Sequence, residues 1–84
     1  AEKLRKQGLN LMILGRLDEA VASLKSSLEL QNDPQTWMGL ALTYERIEDW
    51  EGALRAYEIL KQLAKEGKYT ETAEEKIRSL KDRL

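Results

Sequence analysis

Cysteine and histidine are both absent from this chain of 84 residues. Without cysteine the chain can form no disulfide and can hold no thiolate-bound metal, so its sequence leaves the redox compartment open. Without histidine it lacks the side chain that most often acts as a general base near neutral pH. These two absences remove the usual nucleophile–base pairs of covalent catalysis.

Proline occurs once and β-branched residues are sparse, whereas Leu, Glu, Lys, Ala and Arg dominate. This inventory favours helices. The chain is 42% hydrophobic and 35% charged, which is typical of a folded soluble domain and not of a disordered one. Its length allows one small core. We therefore predict an all-α fold.

Neither sign of charge is in large excess, because 14 Lys and Arg stand against 15 Asp and Glu for a net charge of −1. A nucleic-acid partner is not expected, since phosphate neutralisation needs a basic patch or stripe. The longest apolar run, residues 11–14, is far shorter than the roughly 20 residues of a membrane span. With no signal peptide either, we expect no membrane insertion and favour a cytoplasmic location.

The apolar spacing predicts five helices, over residues 2–14, 18–30, 34–47, 50–65 and 70–84. Gly15 suits a left-handed C-terminal cap, and Asp33 followed by Pro34 suits a helix start. We expect a turn at 48–49 and a capping role for Thr70. Short turns imply antiparallel neighbours. Ala1 already stands within a helical pattern without an initiator Met, so we expect a piece of a longer protein or an engineered chain.

An offset of 33 residues superposes one half of the chain on the other. Small residues recur where two helices must approach closely, and large ones recur where the gap must be filled. The matched pairs are Leu4 with Trp37, Gly8 with Ala41, Leu11 with Tyr44, Leu14 with Ile47, Leu17 with Trp50, Ala20 with Ala53, Val21 with Leu54, Leu24 with Tyr57 and Leu30 with Leu63.

At these positions the chain resembles the tetratricopeptide repeat (TPR) family, whose pattern is W-x2-L-G-x2-Y, then A-x3-F, then P. The second copy supplies Trp37, Leu40, Ala41, Tyr44, Ala53 and Tyr57, and the first supplies Leu4, Gly8, Leu11, Ala20 and Leu24. The chain departs from the family at Gln7, Ser27 and Leu60, and both copies lack the closing proline. The resemblance covers residues 1–66.

The resemblance implies antiparallel helix-turn-helix repeats that form a short right-handed superhelix, an α-solenoid. Repeats would cover residues 1–33 and 34–66, and residues 67–84 would form a C-terminal capping helix. The expected apolar side of that helix carries Tyr69, Ala73, Ile77, Leu80 and Leu84. As an alternative, the stretch GKYTETA at 67–73 is a decayed echo of GRLDEA at 15–20.

The remaining polar residues form no recognisable catalytic or ligand set. The serines lie mid-helix without a base, the carboxylate pairs are adjacent and diverge around their helices, and the five glycines are scattered. We expect no enzyme activity, no metal site and no cofactor. Trp37, Tyr44, Trp50 and Tyr57 match the core pattern of the family, and we interpret them as core.

Several residues of the first and third helices are not needed by the fold. The buried side of the first helix is formed by Leu4, Gly8, Leu11 and Leu14. A second stripe of residues remains on that helix, and the third helix carries a matching stripe. By resemblance to the family, these stripes line a concave groove that binds a partner peptide or helix. The predicted groove residues are Arg5, Leu9, Met12, Ile13, Met38, Leu42, Glu45 and Arg46.

The groove predicts an adaptable and rather apolar ligand, because both methionines of the chain lie in it. In some members of the family a set of Lys, Arg and Asn side chains holds a C-terminal carboxylate. Arg5 and Lys68 fit two of those positions, but Leu9 and Gly39 stand where asparagines would be needed, so such a clamp is not expected.

Three interpretations of the stripe stay open: a groove for another protein or peptide, packing within the domain, and self-association. The first makes the chain a protein-interaction module. The alternative function is a structural, self-assembling repeat segment, or an engineered scaffold without a natural ligand. Two repeats are fewer than the roughly three usually needed for independent stability, which keeps self-association plausible.

Overall fold

A computed structural model describes residues 2–64 and 67–84. These residues form five α-helices and no strand, which confirms the all-α prediction. The helices are α1 (Glu2–Ile13), α2 (Leu17–Leu30), α3 (Pro34–Ile47), α4 (Trp50–Ala64) and α5 (Lys68–Arg83). The predicted end of the fourth helix at residue 65 and the boundary at residue 66 lie outside the described residues, as does Ala1.

Helix α3 begins as its sequence predicts. The Asp33 carboxylate accepts a hydrogen bond from the backbone N–H of Gln35 at 3.2 Å, and Pro34 lies in the first turn. The start predicted for the last helix is wrong, because α5 begins at Lys68 and the Thr70 side chain caps nothing. The hydroxyl of Thr70 is instead buried without a hydrogen-bond partner in the part of the chain that the structure describes.

The turns after α1 and after α3 have the same geometry, 33 residues apart. Gly15 and Glu48 both adopt a left-handed backbone, with φ of 84° and 68°. Each turn is closed as in a Schellman motif. The closing bonds run from the N–H of Arg16 to the carbonyl of Leu11 and from the N–H of Asp49 to the carbonyl of Tyr44, both at 2.9 Å. The sequence offset is therefore also an offset in backbone structure.

Glu48 is the strained member of this pair of turns, because a side chain makes the left-handed conformation costly. We expect Glu48→Gly to raise the free energy of unfolding by about 0.5–1 kcal/mol, since glycine removes the strain but adds entropy to the unfolded chain. Urea unfolding with an unchanged m-value would measure this. The control Glu51→Gly, within α4, should instead lower stability by about 0.5–1 kcal/mol. A loss of stability in both variants would contradict the prediction.

The helices pack as consecutive neighbours, α1 on α2, α2 on α3, α3 on α4 and α4 on α5, and α1 also contacts α3. Small residues set the close approaches, as the sequence predicts. Ala20 and Ala53 are completely buried, and a Cβ at Gly8 would lie 2.6 Å from Cγ of Leu24. Together with the repeated turns, this gives a helical-repeat-like all-α fold.

One cluster of buried side chains joins α3, α4 and α5. Its members are Ala41, Ala53, Ala56, Tyr57, Leu60, Ala73 and Leu80. The guanidinium of Arg83 lies 4.6 Å from the ring centre of Trp50, so a cation–π contact also joins the end of α5 to the start of α4. Helix α5 therefore covers an apolar side of α4 that would otherwise face water.

Four predicted core residues are wrong, and two of them, Leu30 and Ile47, lie at the ends of α2 and α3 and are 68% and 38% exposed. Leu14 is 70% exposed, because α1 ends at Ile13 and the chain has already turned away from α2. Leu84 is 60% exposed, because it follows the last turn of α5 and no described element lies over it. All four errors fall at helix ends, where the periodic pattern of apolar residues continues beyond the surface that the helix can bury.

Candidate functional site

The eight predicted groove residues lie on helices that the fold places side by side. We call this surface the α1/α3 face; it comprises Arg5, Leu9, Met12, Ile13, Met38, Leu42, Glu45 and Arg46. Gly39 lets the two helices meet, since a Cβ there would lie 2.6 Å from Cδ2 of Leu9. Near the other end, Nη1 of Arg46 donates a hydrogen bond to the carbonyl oxygen of Met12 at 3.1 Å. The two stripes are therefore brought together.

Arg5 is used to join α1 to the start of α3. Its Nη1 lies 2.9 Å from Oδ2 of Asp33, the residue that caps α3, and only 19% of its side chain is exposed. The hydroxyl of Thr36 donates to the same carboxylate oxygen at 3.3 Å. Because the Arg5 guanidinium already holds a carboxylate of this chain, a partner's carboxylate would have to compete with Asp33 for it.

Glu45 joins the face to α5. Its carboxylate lies 3.5 Å from Nζ of Lys76, and 20% of its side chain is exposed. The sequence pattern does not indicate a role for Lys76. Neighbouring residues could not indicate it either, because the contact depends on how α5 packs against α3 and α4. Lys76 is therefore a further charged residue at the edge of the α1/α3 face.

The apolar residues of the face differ in exposure. Leu9, Met12, Met38 and Leu42 are half-buried, and Ile13 is 71% exposed. Met38 packs against the cluster that joins α3 to α5, and Leu9 packs over Gly39. Packing within the domain thus occupies part of these two side chains, and Ile13 is the exposed apolar side chain of the face.

Behind the face lies one side chain with a strongly shifted pKa. Burial raises the pKa of the Tyr57 hydroxyl well above its ordinary value, and the negative charge of nearby Glu45 raises it further. The hydroxyl makes no well-formed hydrogen bond among the described residues. Tyr57 is completely buried. Since no ligand can reach it, we assign Tyr57 to the core and not to a site.

The other three aromatic residues that were interpreted as core are only partly buried. Trp37, Tyr44 and Trp50 are half-buried and pack against the α3–α5 cluster. Trp37 and Tyr44 line a cleft between α2 and α4. On α3 they lie roughly 130° from the stripe of Met38 and Leu42, given about 100° per residue. The cleft is therefore on the other side of the molecule from the α1/α3 face.

The α1/α3 face offers apolar contact and charge, without a catalytic arrangement. Among residues 2–64 and 67–84, no three carboxylates converge to hold a metal ion. No helix in this described part is long and apolar enough to cross a membrane. The residues of the face can bury apolar side chains of a ligand between Arg5 at one end and Arg46 at the other.

No protein-family model, curated protein or solved structure matches this chain.

Proposed function

We propose that this chain is a protein-interaction module of the TPR type. In this proposal α1 with α2 and α3 with α4 are the two repeats of a short right-handed superhelix, and α5 is the capping helix. The partner is a peptide or helix of another protein, which lies along the α1/α3 face. The module performs no catalysis and takes no cofactor.

One observation carries the proposal: the apolar stripes of α1 and α3 form a single accessible strip instead of two separate ones. Leu9 packs over Gly39 and Met12 lies beside the Arg46 end of α3, and the exposed side chain of Ile13 extends the strip. An exposed apolar surface of this kind on a small domain is typical of an interaction site. Flexible thioether side chains also suit a surface that adapts to its ligand.

A peptide selection tests this proposal. Displayed peptides of about 12 residues, long enough for anchors at i, i+4 and i+7, would be selected on the parent chain. For the selected peptide we expect Met12→Lys and Leu42→Lys each to raise the Kd about tenfold or more, because a buried contact is replaced by a charge. Titration calorimetry would measure the change.

Leu30→Lys is the matched control, because Leu30 is 68% exposed on α2 and lies outside the α1/α3 face. Its Kd should stay within about twofold of the parent value, as expected of a substitution that touches no ligand. Equal weakening by all three variants, or backbone amide shifts confined to α2 and α4, would contradict the assignment of the face.

Self-association is a second candidate function, favoured by one specific observation. Ile13 and Leu14 are neighbours at the end of α1 and are 71% and 70% exposed. A second copy of the chain could bury both. Sedimentation velocity over a wide range of concentrations separates the candidates, since a monomer at every concentration rules out self-assembly and leaves peptide binding intact.

A further inference from the structure

Three cations stand on the α1/α3 face or at its edge, and they decide which charge a partner must carry. They are Arg5, Arg46 and Lys76. A cation that is already paired within the chain offers a ligand little, whereas an unpaired one attracts a carboxylate and repels a basic group. The chemistry of the partner therefore depends on which of the three is left unpaired.

Arg5 and Lys76 are both neutralised by carboxylates of this chain. Nη1 of Arg5 lies 2.9 Å from Oδ2 of Asp33, and Nζ of Lys76 lies 3.5 Å from the Glu45 carboxylate. A ligand carboxylate would have to displace Asp33 or Glu45 before it could pair with either cation. The two pairs cancel in charge, so they add no net charge to the face.

Arg46 is the unpaired cation. Its side chain is exposed, and no carboxylate lies within 4.0 Å of it in residues 2–64 and 67–84. Its neighbour Glu45 is paired with Lys76, and Glu48, in the turn toward α4, forms no ion pair with it. The uncompensated charge on the face is therefore the single positive charge of Arg46.

A hydrogen bond holds the Arg46 guanidinium beside the apolar part of the face. Its Nη1 donates to the carbonyl oxygen of Met12 at 3.1 Å, and the next residue, Ile13, is 71% exposed. A guanidinium has five N–H groups, so the others remain available to a carboxylate. Because the side chain is already held in place, it loses less conformational freedom when a ligand binds.

Part of the role of Arg46 is structural. It lies in the last turn of α3, where the helix favours a positive charge, and its hydrogen bond to Met12 joins the ends of α1 and α3. Both of these interactions involve partial charges, so they leave the formal charge of Arg46 unneutralised. A test of its role in binding must therefore separate a charge contact with the ligand from a change in the fold.

From the unpaired charge of Arg46 and its position beside Met12 and Ile13, we infer that the partner of the α1/α3 face is an acidic amphipathic segment. An apolar side chain of the segment covers Ile13. An Asp or Glu three or four residues away pairs with Arg46, since these spacings place two side chains on the same side of a helix. The inference rests on the proposed function, to which it adds the charge of the partner and the residue that selects it.

The probe is the tightest 12-residue peptide from the selection on the parent chain. We expect it to carry Asp or Glu three or four residues from an apolar residue. Arg46→Gln should raise its Kd about three- to fivefold, as expected for one partly exposed charge contact. Replacing the peptide's carboxylate by the matching amide should weaken binding to the parent equally, but should change binding to Arg46→Gln by less than about 1.5-fold. If Arg46 acted only through the fold, the peptide substitution would have the same effect on both chains, and the inference would be wrong.

Arg55→Gln is the matched control, because Arg55 is an exposed arginine of α4 that also has no carboxylate within 4.0 Å in the described part of the chain. Its Kd should stay within about 1.5-fold of the parent value. Equal weakening by Arg55→Gln would show that the peptide responds to net charge and would overturn the inference. Selected peptides that are basic or uncharged, yet shift amides of the α1/α3 face, would overturn it and leave the proposed function standing. Peptides that shift no amide of this face would overturn both.

Discussion

Replacing Tyr57 by alanine is expected to lower the free energy of unfolding by about 3–5 kcal/mol. Tyr57 is completely buried and is the largest fully buried side chain of the described residues. Its ring belongs to the cluster that joins α3, α4 and α5, so truncation leaves a cavity where three helices meet. An 84-residue domain has a total stability of roughly 4–12 kcal/mol. The midpoint of urea unfolding should therefore fall by at least about 1 M, since the m-value is about 1–3 kcal/mol per M.

Tyr57→Phe separates the ring from its hydroxyl. This hydroxyl makes no well-formed hydrogen bond among the described residues, although the Glu45 carboxylate is close enough to raise its pKa, and a buried hydroxyl that is poorly paired costs about 1–3 kcal/mol. We therefore expect Phe to keep or raise the stability of the parent. Leu84→Ala, at a side chain that is 60% exposed, should change stability by less than about 0.5 kcal/mol. A large loss in Tyr57→Phe would contradict this expectation, because it would mean that the hydroxyl is well paired with Glu45.

The local features of the fold could be predicted from the sequence. Gly15 ends α1 in a left-handed conformation because glycine adopts it without strain, and Asp33 caps α3 because its short carboxylate reaches a free N–H two residues away. Both depend only on neighbouring residues. The 33-residue offset also predicts that position 48 matches Gly15, although Glu48 itself gives no sign of the positive φ that it adopts.

Contacts between distant helices could not be predicted in the same way. The pattern of α1 places Arg5 on the stripe of Leu9 and Met12, but it does not show that Asp33, 28 residues away, holds the Arg5 guanidinium. Likewise the apolar period predicts which residues share one side of a helix, not whether another helix covers that side. The exposure of Leu14 and the contact between Glu45 and Lys76 both depend on this missing information.

The α2/α4 cleft shows the same limit at Trp37 and Tyr44. Their spacing matches the core pattern of the family, and both do contact the core cluster. They are only half-buried because α2 and α4 stand apart over α3, which is a property of helix packing and of the space at Gly52. Residues that match a core sequence pattern can therefore also line a cleft.

The stability of the chain should fall steeply in base because of Tyr57. Burial first, and then the charge of Glu45, raise the pKa of its hydroxyl in the folded state. Unfolded tyrosine releases its proton near pH 10, whereas the folded chain retains it. The resulting stability is complete below about pH 10 and is lost as pH rises above it. The expected loss is slightly more than about 1 kcal/mol per pH unit from this residue alone.

Urea unfolding at several pH values between about 9 and 12 would measure this slope. All the other side chains are the same in the parent and the variant, so the difference between the parent and Tyr57→Phe isolates the buried hydroxyl. Glu45→Gln should keep most of the slope, because burial is the larger cause of the shift. If Tyr57→Phe lost stability with pH as steeply as the parent, the Tyr57 hydroxyl would have to ionise as readily in the folded chain as in the unfolded one. In that case the ring could not be sealed among α3, α4 and α5.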